Sequence, residues 1–196
     1  MINNNRIRHT VRARRAPGLS IMEIMLTVAI VAVLAAIATP SFTTVIQNSR
    51  VRSQSSDLMT NLAIARAEAA KRSMRVTLCA STTWQNASPS CTGGGSTAWN
   101  LGYIVFADVN GNGTFDSGTD AVIAVSEPLT GGNSLASANF TTPAAADKFQ
   151  YRPSGATNLP AAGGTFKLCD SRTGNFGRLI QIGVTGRTVS NFTTCP

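Results

Sequence analysis

Histidine is nearly missing from this chain: His9, in the basic N-terminal stretch, is the only one. The four cysteines, Cys79, Cys91, Cys169 and Cys195, include no Cys-x-x-Cys pair. Zinc sites draw on imidazole and thiolate ligands at short spacings, so a zinc centre is not expected. There is no Gly-x-Ser-x-Gly elbow and no phosphate-binding glycine loop. The chain therefore lacks the residues that the common nucleophile and nucleotide chemistries require, and it reads as a non-enzyme without a cofactor. Charge is absent from Ile24 to Gln47, and glycine is absent from Leu19 to Met74, where Pro40 is the only proline.

What is present is concentrated at the N-terminus. Arg6, Arg8, Arg12, Arg14 and Arg15 form a leader that holds no acid and ends at Gly18. An apolar run of Ile, Val, Leu, Met and Ala then extends to Ala38, with a single charge at Glu23, the fifth residue after the glycine. Such a run approaches the ~20 residues that a helix needs to cross a hydrocarbon core. A carboxylate in that setting costs about 2.5–3.5 kcal/mol at mid-bilayer and less near the interface, so it calls for a partner. A new α-amine made by cutting after Gly18 would supply one. A conventional secretory signal fits in part, through the basic n-region, the apolar h-region and the small-residue site Ala36-Ile37-Ala38. A plain single-pass anchor is a further alternative. Against the signal stand the acid inside the h-region, the unusually basic leader, and a helical pattern that continues past the site.

Gly18 followed by an apolar residue, Glu23, the apolar helix and Pro40 together resemble the class III signal of type IV prepilins and type II secretion pseudopilins. The resemblance implies that a membrane-embedded prepilin peptidase cuts after Gly18 and methylates the new N-terminus, Leu19, where most members carry Phe. It also maps the family's buried acid onto Glu23, with the implied role of pairing with the N-terminal amine of a neighbouring subunit. The physics agrees, because a buried charge is tolerated mainly when paired. The phrase Ala63-Ile64-Ala65-Arg66-Ala67-Glu68-Ala69-Ala70-Lys71-Arg72 resembles a signature of the GspH/FimT branch of minor pilins, which includes FimU-like members. Trp99…Gly102…Phe106-x-Asp108-x-Asn110 is similar to that family's hairpin. The fold so implied is α+β and type IV pilin-like, a long N-terminal helix packed on a C-terminal antiparallel β domain. The expected organisation is a cleaved leader over 1–18, a helix over 19–74 whose 19–40 part spans the membrane or forms filament core, and a β domain over 75–196.

Charge bookkeeping supports a topology more than a binding surface. The chain carries +8, which at first suggests nucleic acid. Removing residues 1–18 leaves 12 basic and 9 acidic residues, a net +3. The leader arginines mark the cytoplasmic side, which puts the rest of the chain across a bacterial inner membrane, in the periplasm. The residual excess belongs to residues 164–196, where Lys167, Arg172, Arg178 and Arg187 face Asp170 alone.

Beyond Pro40, where a kink or local break is expected, Leu58, Leu62, Ala65 and Ala69 form one apolar stripe at helical spacing. Simple helix-on-sheet packing accounts for it. From Arg75 the pattern changes to short β-type runs, predicting strands at Arg75–Ala80, Gly102–Ala107, Asp120–Ser126, Phe149–Arg152, Gly164–Leu168 and Arg178–Val184. Ala80–Asn100 and Gly131–Ala146 read as loops.

In an oxidising periplasm the four cysteines would pair, and of three connectivities the local one, Cys79–Cys91 with Cys169–Cys195, is preferred. The spacing of Asp108, Asn110, Asn112 and Asp116, with Gly113 at the sixth position, resembles the start of an EF-hand loop. The twelfth position is Thr119 rather than Glu, and no helix pattern enters the loop. A turn in which Asp and Asn serve backbone geometry is the competing reading of this weak calcium candidate.

Two function classes remain. The first is a structural minor pilin or pseudopilin that starts or caps a type IV pilus or type II secretion pseudopilus, with the peptidase, other pilins and the inner membrane as partners. The second is a DNA-binding minor pilin acting in natural transformation, since some FimT-like pilins carry Gly-Arg-x-Arg near the C-terminus. Here Gly186-Arg187-Thr188-Val189 keeps the first arginine and has Val189 in place of the second. Lys167, Arg172, Arg178 and Arg187 would be the phosphate contacts, and Phe176 and Phe192 could stack on bases or serve as core.

Overall fold

The structure, a computed structural model, describes residues 18–92, 99–140 and 146–196, with backbone only at 38–40. Of the expected leader, only Gly18 lies among them. The chain divides into two compact units, residues 1–43 and 44–196.

One helix, α1 (Ile21–Arg72), contributes to both units. It opens where the Ser20 carbonyl accepts the N–H groups of Glu23 at 3.0 Å and Ile24 at 3.2 Å. Glu23 thereby lies in the first turn, where the helix dipole favours an anion. No interruption of the helix is seen at Pro40. Proline removes one N–H from the ladder, and the turns on either side carry on. At the far end Glu68 pairs with Lys71 and Arg72, and Ser73 takes a left-handed φ of 53° that turns the chain into the first strand.

Among the described residues the second unit adds eight strands in two antiparallel sheets. They are β1 (Arg75–Ala80), β2 (Tyr103–Asp108), β3 (Ala121–Ser126), β4 (Ser134–Ala138), β5 (Lys148–Tyr151), β6 (Gly164–Cys169), β7 (Gly174–Ile182) and β8 (Thr188–Cys195). The orders are β3-β2-β1-β5 and β4-β6-β7-β8. The six expected strands are present with ends shifted by a few residues. β4 lies inside the stretch read as loop, and β8 was not expected. Both are poor in large apolar side chains, so neither shows as a hydrophobic run. β4 buries only Leu135 and Ser137, and β8 buries only Cys195.

Leu58, Leu62, Ala65 and Ala69 are all buried, as the stripe predicts, and Val51 extends it. They join one core with inward residues of both sheets, including Leu78, Val105, Leu168 and Ile180. At its centre Trp99 meets Phe166 at 4.8 Å and donates its indole N–H to Ser137 Oγ and the Ala146 carbonyl. On the other face of the first sheet Cys79, Ile104 and Phe106 form a smaller cluster under Trp84, Cys91 and Phe115. The disulfides are Cys79–Cys91 and Cys169–Cys195. The second ties the end of β8 to β6 and holds a tail that would otherwise fray.

Tyr151 is fully buried, and its hydroxyl has no hydrogen-bond partner among the described residues. Burial raises the phenol's pKa, outweighing the nearby Arg66 charge. A buried unpaired hydroxyl costs free energy, so Tyr151→Phe is expected to be neutral or to stabilise by up to about 1 kcal/mol, read from the denaturation midpoint.

Candidate functional site

The N-terminal end of α1 presents apolar surface on every side. Leu19 is 71% exposed, and the large side chains from Ile21 to Ile37 are likewise open around the whole circumference. A helix apolar all round must be covered by lipid or by other helices. By length and composition this helix can cross a membrane. Glu23 is exposed within that surface.

The loop between β2 and β3 is organised around Asp108, which is 1% exposed. Its Oδ2 accepts from Thr77 Oγ1 at 2.7 Å, Gln150 Nε2 at 2.7 Å and the Gly113 N–H at 2.8 Å. Its Oδ1 accepts the Asn112 N–H at 3.1 Å. Asn110 and Asn112 turn their amide nitrogens to Asp116 Oδ2 at 2.7 and 2.8 Å, and their oxygens to the backbone N–H groups of Asn112 and Thr114. The oxygens proposed as calcium ligands thus close the turn. Among the described residues no group of three His, Cys, Asp or Glu is placed to hold a metal.

Arg66, inside the phrase Ala63–Arg72, joins the helix to two loops. Its Nε donates to the Gly155 carbonyl at 3.1 Å and an Nη donates to the Thr185 carbonyl at 3.0 Å. Gly186, at the β7–β8 turn, has φ +78°, and a Cβ there would stand 2.0 Å from the Gly155 carbonyl oxygen. Sequence reasoning did not single out this three-way junction. The alternation Gly183-x-x-Gly186 was its available signal, since such a pair marks a tight turn.

The four C-terminal cations do not form one patch. Lys167 pairs in register with Leu179, whereas Arg178 pairs with the core residue Leu168. Strand alternation therefore puts Lys167 and Arg178 on opposite faces of the sheet. Arg172 and Arg187 lie beyond opposite ends of β7, a strand of nine residues that spans roughly 30 Å. Arg172 is engaged: its Nε reaches Asp170 Oδ2 at 2.9 Å, an Nη reaches Asn48 Oδ1 at 2.8 Å, and the guanidinium lies over the Phe176 ring. Burial would raise the Asp170 carboxyl, but the hydrogen bonds and charge of Arg172 prevail and hold its pKa below the usual range. Arg178 lies 3.7 Å over the exposed ring of Phe192. Arg187 is exposed at the hairpin turn.

Residues 54–186 match the family described as Type II transport protein GspH. The chain belongs to the GspH family. This family comprises minor pilins and pseudopilins, structural subunits rather than enzymes, and membership implies contacts with other pilins. Among solved structures, the chain is similar to the type IV minor pilin FimU of Pseudomonas aeruginosa in one crystal form, at 15% identity and a TM-score of 0.50. That match covers 76% of this chain and 90% of FimU. A second crystal form of FimU matches at 18% identity and TM-score 0.49, covering 71% of this chain and 91% of FimU. No curated protein matches the chain. At 15% identity the first likeness is one of fold, the type IV pilin arrangement of a long N-terminal helix followed by antiparallel sheets. In GspH terms, Arg66 gives the helical phrase a visible task, and Asp108 gives one to the hairpin phrase.

Proposed function

We propose that this GspH-family chain is a filament subunit, cut after Gly18 by a prepilin peptidase and methylated at Leu19. Before assembly it is anchored by one span in the bacterial inner membrane, through residues 19–40, with the domain 75–196 in the periplasm. It then enters a type IV pilus or type II secretion pseudopilus at or near the tip, where it starts or caps the filament. The observation that carries this reading is the bare apolar circumference of α1 with one acid in its first turn. Such a surface needs cover, and a lone carboxylate in it needs a cation, which a neighbour's N-terminal amine provides.

Glu23→Ala is expected to leave the second unit folded and to reduce incorporation into filaments by an order of magnitude or more, scored by immunoblot of sheared pili. Normal incorporation of that variant would sink the assignment. DNA reception finds less support, because Lys167, Arg172, Arg178 and Arg187 are dispersed over two faces and two ends of one sheet. Dispersed cations give few simultaneous phosphate contacts and weak, salt-sensitive binding.

A further inference from the structure

Phe192 is 64% exposed, more than any other aromatic side chain described in the second unit. It pairs in register with Arg178, whose guanidinium lies 3.7 Å from the ring centroid. Arg178 alternates along β7 with the core residues Ile180 and Ile182, so the pair stands on the helix side of its sheet. Asn48, Val51 and Arg52 of α1 meet it there across a shallow cavity of about 340 Å³. Phe176, also exposed, lines the same cavity, with the guanidinium of Arg172 4.1 Å from its centroid. Charge around this cavity is one-sided. α1 carries no acid from Thr44 to Ser56, and residues 164–196 hold only Asp170, which Arg172 occupies. Arg52 and Arg178 are in none of the ion pairs among the described residues. Asp57 and Glu127 line a separate groove on the other flank of α1, with Arg50.

A guanidinium stacked on a ring still presents N–H groups around its edge, a fork that matches phosphate oxygens. Exposed aromatic rings set among arginines suit a membrane interface, where the ring sits at headgroup level and the cation meets phosphate. The chain also tethers this end of the unit. Asn48 follows Pro40, the last residue of the proposed span, by eight residues, which part them by at most about 29 Å in any conformation. Arg66 and its partners Gly155 and Thr185 lie roughly 27 Å farther along α1 from Asn48. We propose that, before assembly, the end of the second unit around Phe192 docks on the anionic lipid surface of the membrane that the helix crosses. Phe192 and Phe176 settle among the headgroups, and Arg52 and Arg178 hold lipid phosphates. The inference deepens the membrane-anchored subunit reading and rests on it, since the span supplies the tether. Tethering makes the surface contact intramolecular, so a few arginines suffice where an untethered protein would need more. Docking covers the aromatic pair until a filament takes the subunit up.

The test uses the full chain reconstituted in vesicles of phosphatidylcholine, brominated high on its acyl chains, with or without phosphatidylglycerol. Bromine quenches tryptophan fluorescence at contact range. Phe192→Trp adds one reporter to Trp84 and Trp99, whose emission the unchanged chain supplies as background. Phe192 is exposed, so the larger ring fits without repacking the core. The added emission is expected to lose most of its intensity in vesicles with phosphatidylglycerol. Val184→Trp, just beyond the far end of β7, is expected to lose none. Arg52→Glu with Arg178→Glu should weaken docking at least about tenfold, since each basic residue at an anionic surface is worth about fivefold. A chain that floats with the vesicles but shows no quenching at position 192, or as much at 184 as at 192, overturns the docking and leaves the span standing. A chain that does not float overturns the anchored-subunit reading instead. Quenching that persists after both charge reversals overturns the phosphate contacts. Binding of a DNA oligonucleotide that needs Phe192 and Arg178, in vesicles where position 192 is unquenched, makes the patch a nucleic-acid face and also overturns the proposal.

Discussion

Gly186→Ala is expected to destabilise the second unit by about 2–6 kcal/mol. Two costs add. A side chain at φ +78° pays roughly 1–3 kcal/mol for a left-handed backbone. The new methyl would also stand 2.0 Å from the Gly155 carbonyl oxygen and 3.0 Å from Arg66 Nε, and relieving that crowding costs about 1–3 kcal/mol. Gly118→Ala is the matched control. Its φ of +86° is similar, but nothing stands within 4 Å of the added carbon, so only the same backbone cost of roughly 1–3 kcal/mol is expected. Denaturant titration of the detergent-solubilised chain, followed by tryptophan fluorescence, compares the two. Equal losses would show that the junction of Arg66, Gly155 and Gly186 is not tightly packed.

Asp108→Ala is the second large effect, with an expected loss of about 2–6 kcal/mol, as for two buried donors left unsatisfied at about 1–3 kcal/mol each. The change strands the Thr77 hydroxyl and the Gly113 N–H, while the Asn112 N–H keeps Asn110 Oδ1 and the Gln150 amide keeps Thr77 Oγ1 as acceptors. Asp108→Asn keeps one acceptor oxygen but turns an NH₂ toward other donors, so it should lose somewhat less. The wild-type midpoint should not move on adding calcium or a chelator, because the loop's oxygens already hold its own N–H groups. A calcium-dependent rise in that midpoint would restore the metal reading of Asp108, Asn110, Asn112 and Asp116.

Much of the fold was legible because its signals are local. The stripe from Leu58 to Ala69 has one period and one buried face. β1 coincides with its expected range because Arg75–Ala80 is bounded by a helix end and a polar loop. The cysteine pairing followed from proximity in sequence. β4 and β8 were not legible, since Ser134–Ala138 and Thr188–Cys195 owe their state to pairing with β6 and β7 rather than to their own hydrophobicity. The same physics governs the charges. Lys167, Arg172, Arg178 and Arg187 cluster in sequence, yet strand alternation and the length of β7 separate them in space. Arg66 makes its contacts at long range: its partners, the carbonyls of Gly155 and Thr185, are 89 and 119 residues away. Only tertiary structure brings them together.

The central claim, that Gly18 ends a leader and Glu23 awaits a neighbour's amine, is tested most directly by mass spectrometry of the N-terminal peptide from the membrane-extracted protein. The account predicts a chain beginning at Leu19 with one added methyl group on its α-amine. A chain beginning at Thr39, cut after Ala38 as by a conventional signal peptidase, would remove the apolar helix and Glu23 together and contradict it.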